Sequence, residues 1–233
     1  FLDGTATAFL TASRVHAEHG ATSIVPTLTS VSTEKIEAAM AVFDEAKIQN
    51  QNGANLLGLH LEGPHFAASQ KGAQEERFIK PFDKNEYEAI LTGSDGRILR
   101  WSAAPELPGA KAFAARLKDF NILPCTGHSD ADCNCALKAF GWGFRHVTHL
   151  YSCMSSVHRT NGYRHGGIVE AAFLNDFMTV ELIADGAHLP PELLKLVYKI
   201  KGPEKIALIT DSMRGAGMPE GKSVLGCITD GLP

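Results

Sequence analysis

The chain has 233 residues, of which 44% are hydrophobic and 21% charged, an ordinary composition for a globular protein with a sizeable core. Its formal net charge of −4, from 22 basic and 26 acidic residues, argues against a general binder of nucleic acids. No apolar run approaches the roughly 20 residues of a membrane span, and we expect neither a membrane anchor nor a signal peptide.

Segments with helical periodicity alternate along the chain with short apolar runs, which is the pattern of parallel β/α architecture. We predict helices at residues 5–19, 32–47, 85–91, 110–120, 131–140, 168–174 and 191–200. The predicted strands lie within SIVPTLT, LLGLHLEG, RILRWSAAPE, ILPCTGHS, FRHVTHL, TVELIAD and KIALITDS. Residues 65–85 and 152–166 are expected to be loops.

Seven strands are one fewer than a closed (β/α)8 barrel contains. We therefore predict an α/β fold with one catalytic domain over residues 1–233, a TIM barrel that lacks its first strand and is incomplete at one or both ends. A doubly wound open sheet is the competing architecture, but no G-x-G-x-x-G turn follows a strand to support it.

Four of the apolar runs end in a residue suited to metal chemistry, namely Glu62, His128, His149 and Asp211. In a parallel barrel the carboxyl ends of the strands meet at one mouth, so these residues would converge. Taken singly, each has a simpler interpretation: a salt bridge for the glutamate, a core position for a histidine, a helix N-cap for the aspartate. Together they predict a divalent-metal hydrolase site, since carboxylate and neutral imidazole fit Zn²⁺ and three ligands leave a position for water.

Other polar residues near these strand ends are weaker candidates. His60 is expected to support the site or to be a core histidine. His146 is expected to point to the opposite face from a side chain one residue away and not to be a ligand. His188 could polarise a carbonyl group opposite the metal, or be a surface histidine. Arg159 could bind an anionic group such as a phosphate, or be merely solvated.

Five cysteines, an odd number, do not indicate a disulfide framework. We expect reduced thiols in a cytoplasmic protein. Cys125 and Cys153 lie near the predicted site and could line it without acting as nucleophiles.

Taken together, the motifs resemble the N-acetylglucosamine-6-phosphate deacetylases of the amidohydrolase superfamily. The combination of HLEGP, IADG-x-H and TD-x-M-x-x-AG is specific, whereas any one of these motifs alone is weak. The matching segments run in the family's order over nearly the whole chain: GLHLEGPHF, KGAQ, TGHSDA, THLYSCMS, ELIADGAHLPPELLKL and ITDSMRGAGMPEG.

The resemblance implies a metal-dependent (β/α)8 barrel that removes acetate from N-acetylglucosamine 6-phosphate in amino-sugar catabolism. Glu62, His128 and His149 would bind the metal, and Asp211 would act as general base and then as general acid. Zn²⁺ is the expected ion, although the ligands also admit Fe²⁺, Co²⁺ or Mn²⁺.

The resemblance also implies how the substrate is held. His188 would contact it and help to polarise the amide carbonyl. Arg159 would bind the phosphate, in this family often from the neighbouring subunit of a homodimer. The further substrate contacts implied are Ala73, Gln74, Ser152, Cys153 and Asp185.

The sequence departs from the family's pattern at several points. The H-x-H pair of the first barrel strand and the small β-sandwich are absent from it, although members that use one metal rely on the three ligands present here. Ser152–Cys153 stands where many relatives have Asn-Ala, and Gln74 where others have His. Two alternatives stay open: an amidohydrolase acting on a cyclic amide or a nucleobase, and a non-catalytic sugar-phosphate-binding barrel.

Overall fold

The computed structural model describes residues 1–219 and 221, so Glu220 of the ITDSMRGAGMPEG motif lies outside the described residues. The helices are α1 (Ala6–Glu18), α2 (Thr33–Gln49), α3 (Lys84–Ser94), α4 (Ala110–Asp119), α5 (Cys133–Trp142), α6 (Ile168–Leu174) and α7 (Pro191–Lys201). The strands are β1 (Ser23–Ile24), β2 (Thr27–Leu28), β3 (Asn55–Leu56), β4 (Leu59–Glu62), β5 (Ile98–Ala103), β6 (Leu123–Thr126), β7 (His146–Val147), β8 (His158–Thr160), β9 (Tyr163–His165), β10 (Thr179–Ile183) and β11 (Ile206–Ile209). Short 3₁₀ turns occupy Ala68–Gln70, Glu76–Phe78 and Pro203–Lys205.

Seven of these strands form one curled parallel sheet in the order β2-β4-β5-β6-β7-β10-β11. The spatial order follows the chain, so each crossover leads to the next position in the sheet. This is the winding of a (β/α) barrel, whereas a doubly wound sheet reverses direction at its centre. The structure therefore confirms the predicted barrel sheet, whose edges in the described residues are β2 and β11.

Side chains alternate between the two faces of the sheet. Leu59 and Leu61 face outward into the main apolar cluster, together with Trp101 of β5. His60 and Glu62 face inward, where they are hydrogen-bonded across the strands. The apolar core thus lies between sheet and helices, and the inside of the half-barrel is polar.

Polar caps fix where several helices begin. Thr5 accepts a hydrogen bond from the amide of Ala8 at the start of α1, and Asp132 accepts one from Cys135 at the start of α5. Such caps satisfy amides that have no partner within the helix. They set the points at which each chain segment leaves the mouth of the barrel.

Three local predictions were wrong. LLGLHLEG is not one strand, because β3 ends at Leu56 and β4 begins at Leu59 in another sheet. SIVPTLT is not one strand: β1 pairs with β3 in a separate two-stranded sheet, and β2 alone enters the main sheet. Pro26 lies between them and has no N–H to donate to a ladder. The expected loop 152–166 contains the antiparallel hairpin β8–β9, which turns at Asn161 and Gly162.

None of the helices in the described part of the chain has the length and apolar character needed to cross a membrane.

Candidate metal centre

Glu62, His128 and His149 converge at the carboxyl ends of their strands. Glu62 Oε1 lies 3.0 Å from His128 Nε2 and 2.9 Å from His149 Nε2, and the two nitrogens are 3.2 Å apart. All three residues are buried, and they are the only group of this kind within the described residues. Three donors bound to one tetrahedral Zn²⁺ would be separated by about 3.3–3.4 Å, so a small outward adjustment would place them on one ion.

A shared backbone feature brings the side chains over the mouth of the barrel. His128, His149 and Asp211 each lie two residues beyond the end of a strand, with φ angles of 47°, 33° and 50°. Positive φ is uncommon outside glycine and is concentrated at functional sites. The same turn is thus used at three strand ends, and it directs three of the predicted site residues to the mouth of the barrel.

The ring of His128 is held from its far side. Its Nδ1 lies 2.8 Å from the carbonyl oxygen of Gln70, so Nδ1–H donates there and Nε2 faces the other ligands. The ring also packs against Phe66, with centroids 4.4 Å apart. Such a hydrogen bond to the second nitrogen is typical of metal-binding histidines.

Electrostatics favour a positive charge at this point. Burial acts to lower the pKa of His128, but hydrogen bonds with Cys153 and Glu62 and the charge of Glu62 raise it to about 10. Burial likewise acts to raise the pKa of Glu62, yet its hydrogen bonds to His128 and His149 hold that pKa well below the usual range. A divalent cation would replace the proton of His128, and the residues present fit such an ion.

Asp211 faces this cluster. Desolvation of its carboxylate, followed by the charge of Glu62, raises the pKa of Asp211 above its ordinary value. Asp211 also interacts electrostatically with His188 and with both histidine ligands. A carboxylate that has a raised pKa and lies beside a possible metal position is suited to accepting and returning a proton.

His188 is oriented by Asp185. His188 Nδ1 lies 2.7 Å from Asp185 Oδ2, and the amides of Ala187 and His188 donate to Asp185 Oδ1. Hydrogen bonds to the His188 side chain and backbone lower the pKa of Asp185 to about 2. The two residues form one exposed turn after β10.

The remaining predicted contact residues lie on loops. Gln74 is buried, and its side-chain oxygen accepts from the amide of Ser30 at 2.8 Å, which leaves its NH₂ group as a donor. Ala73 beside it is exposed, and Ser152 and Cys153 are half-buried after β7. Arg159 lies on the exposed hairpin β8–β9, opposite Arg164.

His60 and His146 are hydrogen-bonded inside the barrel and are not part of the ligand group. His60 lies 3.0 Å from Thr27 Oγ1 and 2.7 Å from Ser102 Oγ. His146 lies 2.7 Å from Thr179 Oγ1 and 3.2 Å from Glu181 Oε1. Burial, followed by the charge of Arg100, lowers the pKa of His60 well below 6.5 and that of His146 to about 4, so both rings are neutral at pH 7.

Sequence reasoning missed several residues that support the ligands. The carbonyl of Gln70 carries no side-chain signal at all. Arg100 and Glu181 do carry one, because each is a charged residue inside an apolar strand. Glu181 is buried and Arg100 half-buried, and the two are paired with each other.

Comparison with known proteins gives a consistent result. No protein-family model matches the chain. It is 35% identical over 225 residues to N-acetylglucosamine-6-phosphate deacetylase of Vibrio furnissii, covering 97% of this chain and 55% of that protein. It is 36% identical over 207 residues to the enzyme of that name from Bacillus subtilis, covering 88% of this chain and 51% of that protein. The chain therefore spans about half the length of the curated relatives it matches.

Solved structures show the same likeness. The N-acetylglucosamine-6-phosphate deacetylase of Thermotoga maritima matches with a TM-score of 0.84 and 32% identity, covering 94% of this chain and 58% of that one. The deacetylase of Mycobacterium smegmatis, solved as a variant in complex with N-acetyl-D-glucosamine-6-phosphate, matches with a TM-score of 0.88 and 27% identity, covering 97% of this chain and 57% of that one.

The fold is that of a partial (β/α) barrel like the barrels of the solved deacetylases, and its mouth carries a Glu–His–His group that could hold a metal ion. The chain is similar in sequence and in fold to the N-acetylglucosamine-6-phosphate deacetylases over the part of them that it spans. The resemblance that the motifs indicate is thereby confirmed.

Proposed function

We propose that the chain provides the metal-binding barrel of an enzyme that hydrolyses N-acetylglucosamine 6-phosphate to glucosamine 6-phosphate and acetate. The observation that carries this proposal is the convergence of Glu62, His128 and His149 at one mouth, with Asp211 facing them. The names of the relatives supply the substrate class.

Glu62, His128 and His149 would hold one divalent ion, for which Zn²⁺ is the best fit and Fe²⁺, Co²⁺ and Mn²⁺ are alternatives. When bound, this ion supplies Lewis-acid chemistry at the amide and makes water more acidic. Asp211 takes a proton from the attacking water and delivers it to the departing amine nitrogen. The raised pKa of Asp211 suits this role, because a general acid–base group works best when its pKa is near the working pH.

His188 stabilises the developing charge on the amide oxygen. Because its Nδ1–H is bound to Asp185, its Nε2 donates a hydrogen bond only when the ring is protonated. The bond to the Asp185 carboxylate fixes the direction in which Nε2 points. Asp185 thus acts on the substrate through His188.

The sugar phosphate would be held by loops around the mouth. In the proposed homodimer, Arg159 on the exposed hairpin of one subunit binds the phosphate of the substrate in the other subunit. Neither nucleic acid nor a membrane is part of the proposal. The proposed sugar contacts are Ala73, Gln74, Ser152, Cys153 and Asp185.

We also propose the cytoplasm as the place of action and one catalytic barrel domain over residues 1–233. The four described cysteines, Cys125, Cys133, Cys135 and Cys153, are free thiols, which suits a reducing compartment. In an oxidising compartment, the thiol of Cys153 beside His128 would be open to oxidation.

The test is acetate release by the full-length protein loaded with Zn²⁺. N-acetylglucosamine 6-phosphate should be hydrolysed, and the same sugar without phosphate should be a poor substrate. N-acetylgalactosamine 6-phosphate belongs in the series, because a relative from Escherichia coli O157:H7 that is 32% identical carries the name of that deacetylase. Binding of the sugar phosphate without turnover, or turnover of cyclic amides instead, would overturn the proposal.

Replacement of Asp211 separates proton transfer from metal binding. Asp211→Asn should reduce kcat by at least about 10²–10⁴-fold, the usual contribution of a general acid–base group, with the metal content unchanged. His149→Ala should instead lose the metal, measured by elemental analysis after dialysis. If Asp211→Asn also loses the metal, Asp211 is mainly a ligand.

A further inference from the structure

Two opposite charges lie inside the half-barrel, away from the mouth. Arg100 projects inward from β5 and Glu181 from β10, with side chains 15% and 3% exposed. An Arg100 guanidinium nitrogen donates to Glu181 Oε1, and His146 Nε2 lies 3.2 Å from the same oxygen. A buried ion pair of this kind is weak evidence for stability, because desolvation offsets most of its attraction.

The other carboxylate oxygen of Glu181 accepts a hydrogen bond from the backbone of His149, one of the proposed metal ligands. Glu181 Oε2 accepts a hydrogen bond from the backbone N–H of His149 at 3.3 Å. The backbone carbonyl of Glu181 accepts from the next amide, that of Leu150, at 2.9 Å. One residue therefore holds both amides that flank the left-handed turn at His149, where φ is 33°.

His149 needs this support more than His128 does. The ring of His128 is fixed through Nδ1, which is bound to the carbonyl of Gln70. His149 Nδ1 is buried and has no hydrogen-bond partner within the described residues. The direction of the His149 ring thus depends on where its own backbone is held.

We propose that the Arg100–Glu181 pair is a positioning device for the metal ligand His149. Arg100 fixes Glu181 Oε1, so that Oε2 is aimed at the His149 amide and keeps the strained turn in place. Both are positioning residues, since neither contacts the metal position or the substrate. The inference rests on the metal site of the proposed function and extends it across the barrel.

A matched pair of double variants of the full-length protein tests the clamp. R100M/E181Q removes both charges but keeps a side-chain oxygen for the His149 amide, whereas R100M/E181M removes the charges and the oxygen. Replacing a buried ion pair by neutral groups of similar volume is often tolerated by the fold. The readouts are the Zn²⁺ dissociation constant, by competition with a chromogenic chelator, and the visible absorption spectrum with Co²⁺.

R100M/E181Q should bind Zn²⁺ more weakly than the wild type, because the acceptor of the His149 amide has lost its anchor, but more tightly than R100M/E181M. R100M/E181M should bind Zn²⁺ on the order of 10–100-fold more weakly, the usual loss when a partner of a ligand is removed, with an altered spectrum. Equal affinity of the two variants, whether strong or weak, overturns the clamp while leaving the metal site in place. Failure of the wild type to bind any of the proposed ions overturns the metal site as well.

A second measurement uses the wild-type protein alone, so it does not depend on whether a variant folds. Hydrogen exchange of the His149 amide in the metal-free wild type should be slow if Glu181 holds it. Rapid exchange, on the scale of the exposed amides of the β8–β9 hairpin, would show that no clamp exists.

Discussion

His188 and Asp185 show how a single hydrogen bond determines what a side chain can do. The ring is exposed, so packing does not fix it, and its direction is set by the 2.7 Å contact of Nδ1 with Asp185 Oδ2. Asp185 at the same time accepts both amides of the turn through Oδ1. An asparagine at this position would therefore keep the two amide contacts through its oxygen but could not accept from Nδ1–H, so the His188 ring would lose its orientation.

Asp185→Asn should lower kcat by up to about 10²–10³-fold, the loss seen when one donor to a developing oxyanion is removed. Metal content should not change, since no proposed ligand is touched, and KM should rise less than on loss of Arg159, since the phosphate contact remains. Asp83→Asn is the matched control, because Asp83 also accepts two amides, at the start of α3. The role of Asp185 is refuted if both variants keep wild-type kcat.

His65 is a buried base whose protonation costs stability. Its ring packs between Phe82 and Phe113, and Nδ1 lies 3.1 Å from the carbonyl oxygen of Pro81. Burial lowers the pKa of His65 from 6.5 to about 4. Between these two values the unfolded chain binds a proton that the folded protein does not, so stability falls as the pH decreases through this window.

The free energy of unfolding should be lower at pH 4 than at pH 7 by up to about 3 kcal/mol, because one proton is taken up on unfolding over the range between the two pKa values. His65→Asn keeps an N–H for the carbonyl group but cannot take up the proton. Urea unfolding of the metal-free protein at pH 4, 5, 6 and 7 measures this difference in stability. The variant should lose less stability on acidification than the wild type, and parallel losses would contradict the assignment.

At the scale of elements, α6 begins where there is no room for a side chain. A Cβ at Gly167 would lie 2.4 Å from the backbone carbon of Ser155, although the φ of Gly167 is ordinary. Ser155 Oγ accepts the amide of Ile168 at 3.0 Å, which fixes the first turn against this segment. The close approach ties α6 to the loop that follows the His149 strand.

Gly167→Ala should destabilise the protein by about 1–3 kcal/mol, because the clash is with backbone that cannot rotate away. Gly93→Ala is the matched control: Gly93 lies within α3 with nothing within 4 Å of a Cβ. That change should stabilise by about 0.5–1 kcal/mol through helix propensity. Urea unfolding gives both values, and equal signs would contradict the packing argument.

The elements that could be predicted from the sequence are those with a local signal. The alternation of apolar runs and helical segments indicated the parallel sheet and its order, and strand-end positions indicated Glu62, His128 and His149. The hairpin β8–β9 was missed because its residues are exposed and show no apolar alternation. Asn161-Gly162, with φ values of 50° and 87°, was the available turn signal.

Contacts across the barrel had no such signal. Arg100 and Glu181 meet because both side chains are on the inner face of the sheet and because the whole sheet curls. Neither is visible in a single strand. The carbonyl of Gln70 reaches His128 only because the loop before Gln74 folds back over the mouth.

For the whole molecule, the proposed homodimer gives hairpin β8–β9 two possible places: over the mouth of its own subunit or over that of the partner. Arg159 and Arg164 face each other across β8 and β9, and Tyr163 on the same hairpin is 73% exposed. An exposed aromatic residue among arginines has the composition of a protein interface. A hairpin that packs on a second copy of the chain would bring Arg159 to the partner's mouth.

Complementation between two inactive proteins decides this. Arg159→Ala should raise KM strongly for the phosphorylated sugar, and Asp211→Asn should abolish kcat. In a mixed dimer of these variants, one site has an intact Asp211 and receives Arg159 from the other subunit. Random mixing makes half of the dimers mixed, so activity at low substrate should recover to about one quarter of wild type. If Arg159 serves its own subunit, no complete site forms and mixing gives only the average of the two variants.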